Sequence, residues 1–446
     1  MRPGEGGRPV RVRAAAVLAA VLLLFLGGCS FRLPLPGNWK APGTPAEDRK
    51  EPPVEDRKEP PAPDAGAPGE SAATGGAGGG AALPGPLVPV ELEVPPALAE
   101  GPFAEPRRLY LPAGFRIQVF AAGLGQARFM AVGPEGDLYL SIPREGRVVA
   151  LPDRDGDGVA DQVVTVAEGL DRPHGLAWHQ GDLYVAENSR VIRLEFRDGA
   201  PTGAYQVVVP NLPRGGGHWT RTIAFGPDGK LYVSAGSSCN VCLEDDPRRA
   251  AITRYNPDGT GEEIYATGLR NSVGLAFHPE TGELWATENG RDLLGDDFPP
   301  EEINRIEPGR HYGWPHCHGD RVPDPEFGRG FDCSATEPPA VMMQAHSAPL
   351  GLAFYTGDTF PAAYRGQLFV AFHGSWNRSV PTGYKVVLVP FRDGQPAGGP
   401  VDFLTGFLVG DRAWGRPVDL VVGGDGALYL SDDRAGAVYR IRYAGE

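Results

Sequence analysis

Histidine and arginine recur at one fixed phase of this chain. Arg128, His174, His218, Arg270 with Asn271 beside it, His346 and Arg416 each stand upstream of a repeated Gly-x-Leu phrase. Five of the six lie 9 to 14 residues before its leucine; the exception is His346, in the unit with the longest insertion. Guanidinium groups bind planar anions and imidazole moves protons near neutral pH. If these positions converge, they form a well suited to an anionic planar ligand and to proton transfer. A second constellation is Asp153-Arg154-Asp155-Gly156-Asp157-Gly158-Val159-Ala160-Asp161, with carboxylates at alternate positions and Gly at the sixth. It opens like an EF-hand loop but has Val164 at the twelfth position, so we read Asp153, Asp155, Asp157 and Asp161 as a short structural Ca²⁺ loop. Cys239, Cys242, Cys317 and Cys333 form a third group, favouring disulfides Cys239–Cys242 and Cys317–Cys333 among the three pairings that four cysteines permit. A c-type haem is not expected, because Leu243 stands where the axial His would follow CxxC, and the second pair lacks zinc spacing.

The elements that must position these residues are visible as a repeat. The phrase reads Gly136-Asp137-Leu138-Tyr139-Leu140-Ser141 and recurs with its leucine at 183, 231, 284, 368 and 428, at intervals of 45, 48, 53, 84 and 60 residues. A short apolar strand precedes each copy and a third strand follows most. A period near 40 to 50 with four short strands per unit is the signature of a β-propeller. The spacing therefore predicts an all-β, six-bladed propeller over 106–446, with Phe115 to Phe120 completing the last blade. In that architecture the residues just upstream of each innermost strand meet at one rim.

The run Gly217-His218-Trp219-Thr220-Arg221-Thr222-Ile223-Ala224-Phe225-Gly226-Pro227-Asp228-Gly229 is similar to the catalytic-His strand of soluble pyrroloquinoline quinone (PQQ) glucose dehydrogenases. It resembles the sorbosone and pyranose dehydrogenase branch more closely. Gly268-Leu269-Arg270-Asn271-Ser272-Val273-Gly274 matches the family's Arg-Asn segment, and Glu301-Glu302-Ile303-Asn304-Arg305-Ile306 with Tyr312-Gly313-Trp314-Pro315 matches the stretch after its calcium loop. With His373-Gly374-Ser375-Trp376-Asn377-Arg378 and Arg416-Pro417-Val418, the similarity covers nearly all of residues 109–443. The resemblance implies a PQQ- and Ca²⁺-dependent oxidoreductase that oxidises a sugar. It implies His218 as general base, Arg270 polarising the quinone, and Asn271 and Arg416 as cofactor contacts; His174 is expected as a further contact from its place on the rim. Backbone carbonyls of Gly290 and Arg291 would hold the cofactor's Ca²⁺. Two departures stand out: Ser237 occupies the place of an acidic residue, and the family's cofactor-pairing lysine is missing, leaving Arg378 or Lys385 to stand in.

Composition narrows the partners. The formal charge is -14 and no basic stripe is visible, so nucleic acid is not an expected ligand. A basic start leads into the apolar run Ala14 to Leu26, too short to span a bilayer, which ends Leu26-Gly27-Gly28-Cys29. It resembles a bacterial lipobox, implying that residues 1–28 are a lipoprotein signal and that Cys29 carries the lipid. Residues 29–105 read as a Pro/Gly/Ala-rich tether, so the protein is expected outside the cytoplasm, held to the membrane only by its lipid. The expected partners are a small sugar and an extracytoplasmic electron acceptor, with the protein itself a monomer. Two other classes fit the fold: a non-catalytic binding propeller, and a lactonase-type hydrolase holding one metal with Glu187, Asn188, Glu288 and Asn289.

Overall fold

The computed structural model describes residues 11–12 and 83–445. The lipobox and most of the tether lie outside the described residues. Six blades built on four antiparallel strands follow one another, each with its first strand innermost, and Arg310–His311 adds a short parallel strand at the outer edge of blade 3. Blade 1 begins with Met130–Val132, blade 2 with Leu176–His179 and blade 3 with Arg221–Phe225. Blade 4 begins with Leu275–Phe277, blade 5 with Pro349–Phe354 and blade 6 with Pro417–Val422. The repeated phrase forms the second strand throughout, as in Leu138–Ile142 and Leu428–Asp432. The ring closes as the sequence predicts: Phe115–Ala121 pairs with Ala437–Tyr443, so the last blade takes its outer strand from the start of the domain. Arg11–Val12 pairs at the outer edge of blade 1 with Ala167 and Glu168.

Six separate apolar clusters fill the six gaps between blades. Each sheet is therefore covered on both faces, which is why its strands read as nearly continuous apolar runs. In Leu138–Ile142 all five residues are buried. A seventh cluster, Phe129, Val273, Leu350 and Val418, sits where four inner strands begin and plugs the central axis. The hydroxyl that ends several phrases reaches the next blade. Ser234 Oγ donates to Ser272 O at 2.5 Å, Thr287 Oγ1 to Leu350 O at 2.8 Å and Ser431 Oγ to Arg128 O at 2.5 Å. These bonds satisfy carbonyls that no strand pairs, and they lock neighbouring rims in register.

The tether ends earlier than expected. Leu87–Glu91 pairs with Arg108–Pro112, and Val90, Leu92 and Phe103 are buried against blades 5 and 6. Residues 87 to 105 are therefore folded onto the ring and are not part of a disordered tether, contrary to the expectation for 29–105. From Leu87 onward, the spacing of Leu87, Val88, Val90, Leu92 and Val94 supplies enough apolar surface to fold onto the ring despite the prolines.

Inner strands touch backbone to backbone. Gly175 N donates to Arg221 O of the next blade at 2.9 Å, and a Cβ on Gly175 would lie 2.7 Å from Ile223 N and 2.8 Å from Arg221 O. Gly175→Ala must push two blades apart, and thermal or urea unfolding should find it destabilised by about 2–3 kcal/mol. An unchanged midpoint would refute the close contact.

Candidate active site

The loops before the inner strands enclose a cavity of about 430 Å³ above the apolar plug. Of the rim positions, Arg128, His218, Arg270, Asn271, His346 and Arg416 all line it. His174 does not. It is fully buried beneath the wall, with its ring 4.2 Å from Phe129 and 5.5 Å from Trp219. Its Nδ1 faces Arg221 O at 3.3 Å and its Nε2 faces Arg128 Nη2 at 3.5 Å. Burial and the Arg128 charge keep it neutral. The expectation of direct cofactor contact by His174 is thus corrected: the bulk of Phe129 and Trp219 separates it from the cavity.

His218 has a defined tautomer. Ser237 Oγ donates its hydrogen to Cys239 O at 2.6 Å, so that oxygen can only accept from His218 Nδ1, 2.9 Å away. Ser237 O lies 3.0 Å from the same nitrogen. The proton therefore resides on Nδ1, and Nε2 keeps its lone pair. Burial, with Arg270, Arg249 and Arg221 nearby, pushes the imidazole pKa down to about 3. Ser237, at the position of the missing acid, thus orients the imidazole from beneath.

Arg270 is held on every side. Its Nε donates to Asn240 O at 2.9 Å, Nη1 to Asn289 O at 3.0 Å, and Nη2 to Asn240 Oδ1 at 2.9 Å and Asp292 Oδ2 at 2.8 Å. Arg128 pairs with Asp433 at 2.8 Å, and Asp433 also meets His373 Nε2 at 2.9 Å. Burial raises the Asp433 pKa, but His373 and Arg128 outweigh it and hold the carboxyl well below its ordinary value. Arg416 donates through Nε to His373 O and through Nη2 to Gly374 O, both at 3.1 Å.

The cavity is therefore less cationic than its sequence positions imply. Three arginines face Asp292, Asp433 and Glu301, and burial pushes Glu301 up to about 8, so it is largely neutral at pH 7. Asp292, His373 and Asp433 were not singled out as site residues. Asp433 and His373 stand five residues after their blade's leucine, as Asn188 and Asn289 do after theirs, and that shared phase is the signal that marks them.

Oxygen donors remain for a ligand. Among the described residues, the buried Oδ1 atoms of Asn271 and Asn377, both on the cavity wall, have no hydrogen-bond partner. Gly290 also lines the cavity, its N–H donating to Glu301 Oε2 at 2.7 Å. The Arg291 side chain turns away to Asp324 at 2.5 Å and to Glu326. The two candidates for the missing lysine do not reach the cavity. Arg378 is bonded to Asp296 O at 2.6 Å and paired with Asp297 at 3.1 Å, and Lys385 pairs with Asp402 at 2.6 Å. Asp297, on a loop of blade 4, captures Arg378, and Asp402, on the neighbouring outer strand, captures Lys385. Of the lactonase-type set, only Asn289 lines the cavity: Glu187 is tied to Arg190 and to Asp171 N, Asn188 Nδ2 to Trp219 O, and Glu288 to Asn271 N and Ser272 Oγ.

Two motifs of the sequence lie outside this cavity. Carboxylate oxygens of Asp153, Asp155 and Asp157 fall within 4.8 Å of one another, and burial raises the Asp153 pKa. The Asp161 carboxylate instead accepts from Arg154 N at 2.7 Å. Disulfides join Cys239 to Cys242 and Cys317 to Cys333.

A buried neutral histidine ties stability to pH. The unfolded chain protonates His218 near 6.5 and the folded one near 3, so its contribution is complete above pH 6.5 and is lost as pH falls toward 3. Between pH 7 and 5, wild type should lose on the order of 2 kcal/mol relative to His218→Gln in urea unfolding. Parallel pH profiles would contradict the depressed imidazole.

A family model described as TrAA12-like matches residues 109–444. The pyrroloquinoline quinone-dependent pyranose dehydrogenase of Coprinopsis cinerea is 25% identical over 402 residues, covering 74% of this chain and 54% of that protein. The aldose sugar dehydrogenase YliI of Escherichia coli is 26% identical over 261 residues, covering 53% of this chain and 64% of that protein. The calcium structure of the Trichoderma reesei family AA12 enzyme superposes with a TM-score of 0.67 at 24% identity, over 75% of this chain and 96% of that one. The six-bladed fold is common to them, and the chain belongs to the TrAA12-like family, among the PQQ-dependent sugar dehydrogenases.

Proposed function

We propose that this protein is a PQQ- and Ca²⁺-dependent oxidoreductase that oxidises a sugar hydroxyl or aldehyde by hydride transfer to the quinone. Electrons would then pass to an acceptor outside the membrane. One observation carries the reading: a histidine with a free Nε2, three arginines and two unpartnered amide oxygens surround a single cavity. The residues fit the group. Arg128, Arg270 and Arg416 match an anionic planar quinone, and the Asn271 and Asn377 oxygens suit a hard cation. Asn271, Arg416 and the carbonyls of Gly290 and Arg291 would hold the quinone and its Ca²⁺. When bound, the quinone supplies the two-electron acceptor.

The chain supplies the rest. His218 Nε2 takes the proton of the substrate hydroxyl, and its low basicity rises when an anion offsets the nearby arginines. Arg270, braced by Asn240, Asn289 and Asp292, offers a fixed positive charge that costs no reorganisation when negative charge develops. Trp219 and Trp376 form apolar walls of the cavity, and Trp376 is 72% exposed at its mouth, where a pyranose ring could stack. Val273 and Leu350 give the cavity an apolar floor. The Leu26 to Cys29 signal and the two disulfides favour a domain outside the cytoplasm, tethered by lipid on Cys29. Among the described residues no helix is long and apolar enough to cross a membrane.

Purified apoprotein given PQQ and Ca²⁺ should reduce a dye when sugar is added, and titration should detect quinone binding. His218→Ala should keep quinone affinity and lose about 10²–10⁴-fold in turnover. Arg416→Ala should weaken quinone binding by about 10- to 100-fold. Lactone hydrolysis needing only a divalent metal, or no quinone binding, would overturn the reading.

A further inference from the structure

We propose that Asn240 is a positioning residue for Arg270, and that the disulfide-closed ring containing it also fixes His218. Opening the Cys239–Cys242 bond would then lower turnover without unfolding the protein. The effect on turnover rests on the quinone-dependent reading above; the positioning itself does not.

The ring Cys239-Asn240-Val241-Cys242 is only four residues long, and both sides of the site hang from it. Asn240 O accepts from Arg270 Nε at 2.9 Å and from Trp314 Nε1 at 3.3 Å. Asn240 Oδ1 accepts from Arg270 Nη2 at 2.9 Å and from Asp292 N at 2.8 Å, while Nδ2 donates to Asp292 O at 3.1 Å. One residue therefore holds the guanidinium through two of its nitrogens and also fixes the backbone of the carboxylate that pairs with it. The neighbouring carbonyl, Cys239 O, takes the Ser237 hydroxyl hydrogen at 2.6 Å, and this bond makes the Ser237 hydroxyl, beside the Ser237 carbonyl, an acceptor for His218 Nδ1. If the carbonyl moves, the hydroxyl can turn and donate to the imidazole in competition with Ser237 O, 3.0 Å from the same nitrogen, which weakens the preference for Nδ1–H.

A covalent ring keeps these groups in place because so short a closed loop has few conformations. Reduction by a dithiol transfers two electrons and two protons: the S–S bond breaks, two cysteine thiols form, and the reductant closes to its own disulfide. Cys239 and Cys242 are half-buried, whereas Cys317 and Cys333 are buried at 3% and 7% exposure. A mild reductant should therefore open the ring beside the cavity first.

The test treats the protein with dithiothreitol until two thiols per chain are titrated, and compares it with Asn240→Ala and with the Cys239→Ser/Cys242→Ser double variant. Circular dichroism and melting report the fold. In protein loaded with PQQ and Ca²⁺, kcat should fall about 10- to 100-fold while quinone affinity stays within about threefold, and reoxidation should restore the reduced sample. In the apoprotein, nitrogen-15 histidine NMR should show His218 as the Nδ1–H form, and a mixture of tautomers after reduction. Unchanged turnover and an unchanged His218 tautomer in folded, reduced protein would overturn the proposal. If the double variant does not fold, the reduced wild type decides. If wild type shows no quinone-dependent turnover, the quinone reading fails, and the NMR measurement, which needs neither quinone nor sugar, still decides the clamp.

Discussion

The whole arrangement depends on how closely six inner strands approach one axis. Gly175 lets two strands meet at hydrogen-bond distance, and a side chain there would strike the next blade's backbone. The bonds from Ser234, Thr287 and Ser431 to neighbouring carbonyls fix the angular register. Loosening that contact by even one ångström would widen the circle on which Arg128, His218, Arg270 and Arg416 stand. The chemistry is thus set by packing directly beneath the cavity, where the plug of Phe129, Val273, Leu350 and Val418 gives it its floor.

Much of this was legible because each blade strand is buried on both faces, so the phrase stays apolar and repeats visibly. The rim positions were legible for a related reason: every blade enters the axis at the same phase, so position in the repeat reports position in space. His174 obeys the same phase and still misses the cavity. Phase gives the height on the axis but not whether a neighbour as large as Trp219 lies in front. Ion pairing was not legible at all. Arg128 and Asp433 are 305 residues apart, and nothing local signals that one neutralises the other. The start of the domain was missed because proline content hid an apolar alternation from Leu87 to Val94 that was present in the sequence.

Balanced charge gives the cavity a different character from a simple anion trap. Asp292 and Asp433 hold Arg270 and Arg128 in fixed orientations, which limits how strongly those groups attract arbitrary anions. Two buried arginines, Arg221 and Arg249, brace the loop carrying His218 through carbonyls of His218, Thr220 and Gly236. Selectivity then comes from matching shape and oxygen donors rather than from net potential.

The joining of Phe115–Ala121 to Ala437–Tyr443 has a consequence for how the molecule comes into being. As the chain emerges from a ribosome or a translocation pore, its first blade strand must wait, unpaired, for more than three hundred later residues. Arg416 and Asp433 arrive in that same final stretch. No partial chain can assemble the pocket, and a truncated product would carry an open, adhesive sheet edge where the finished ring has none.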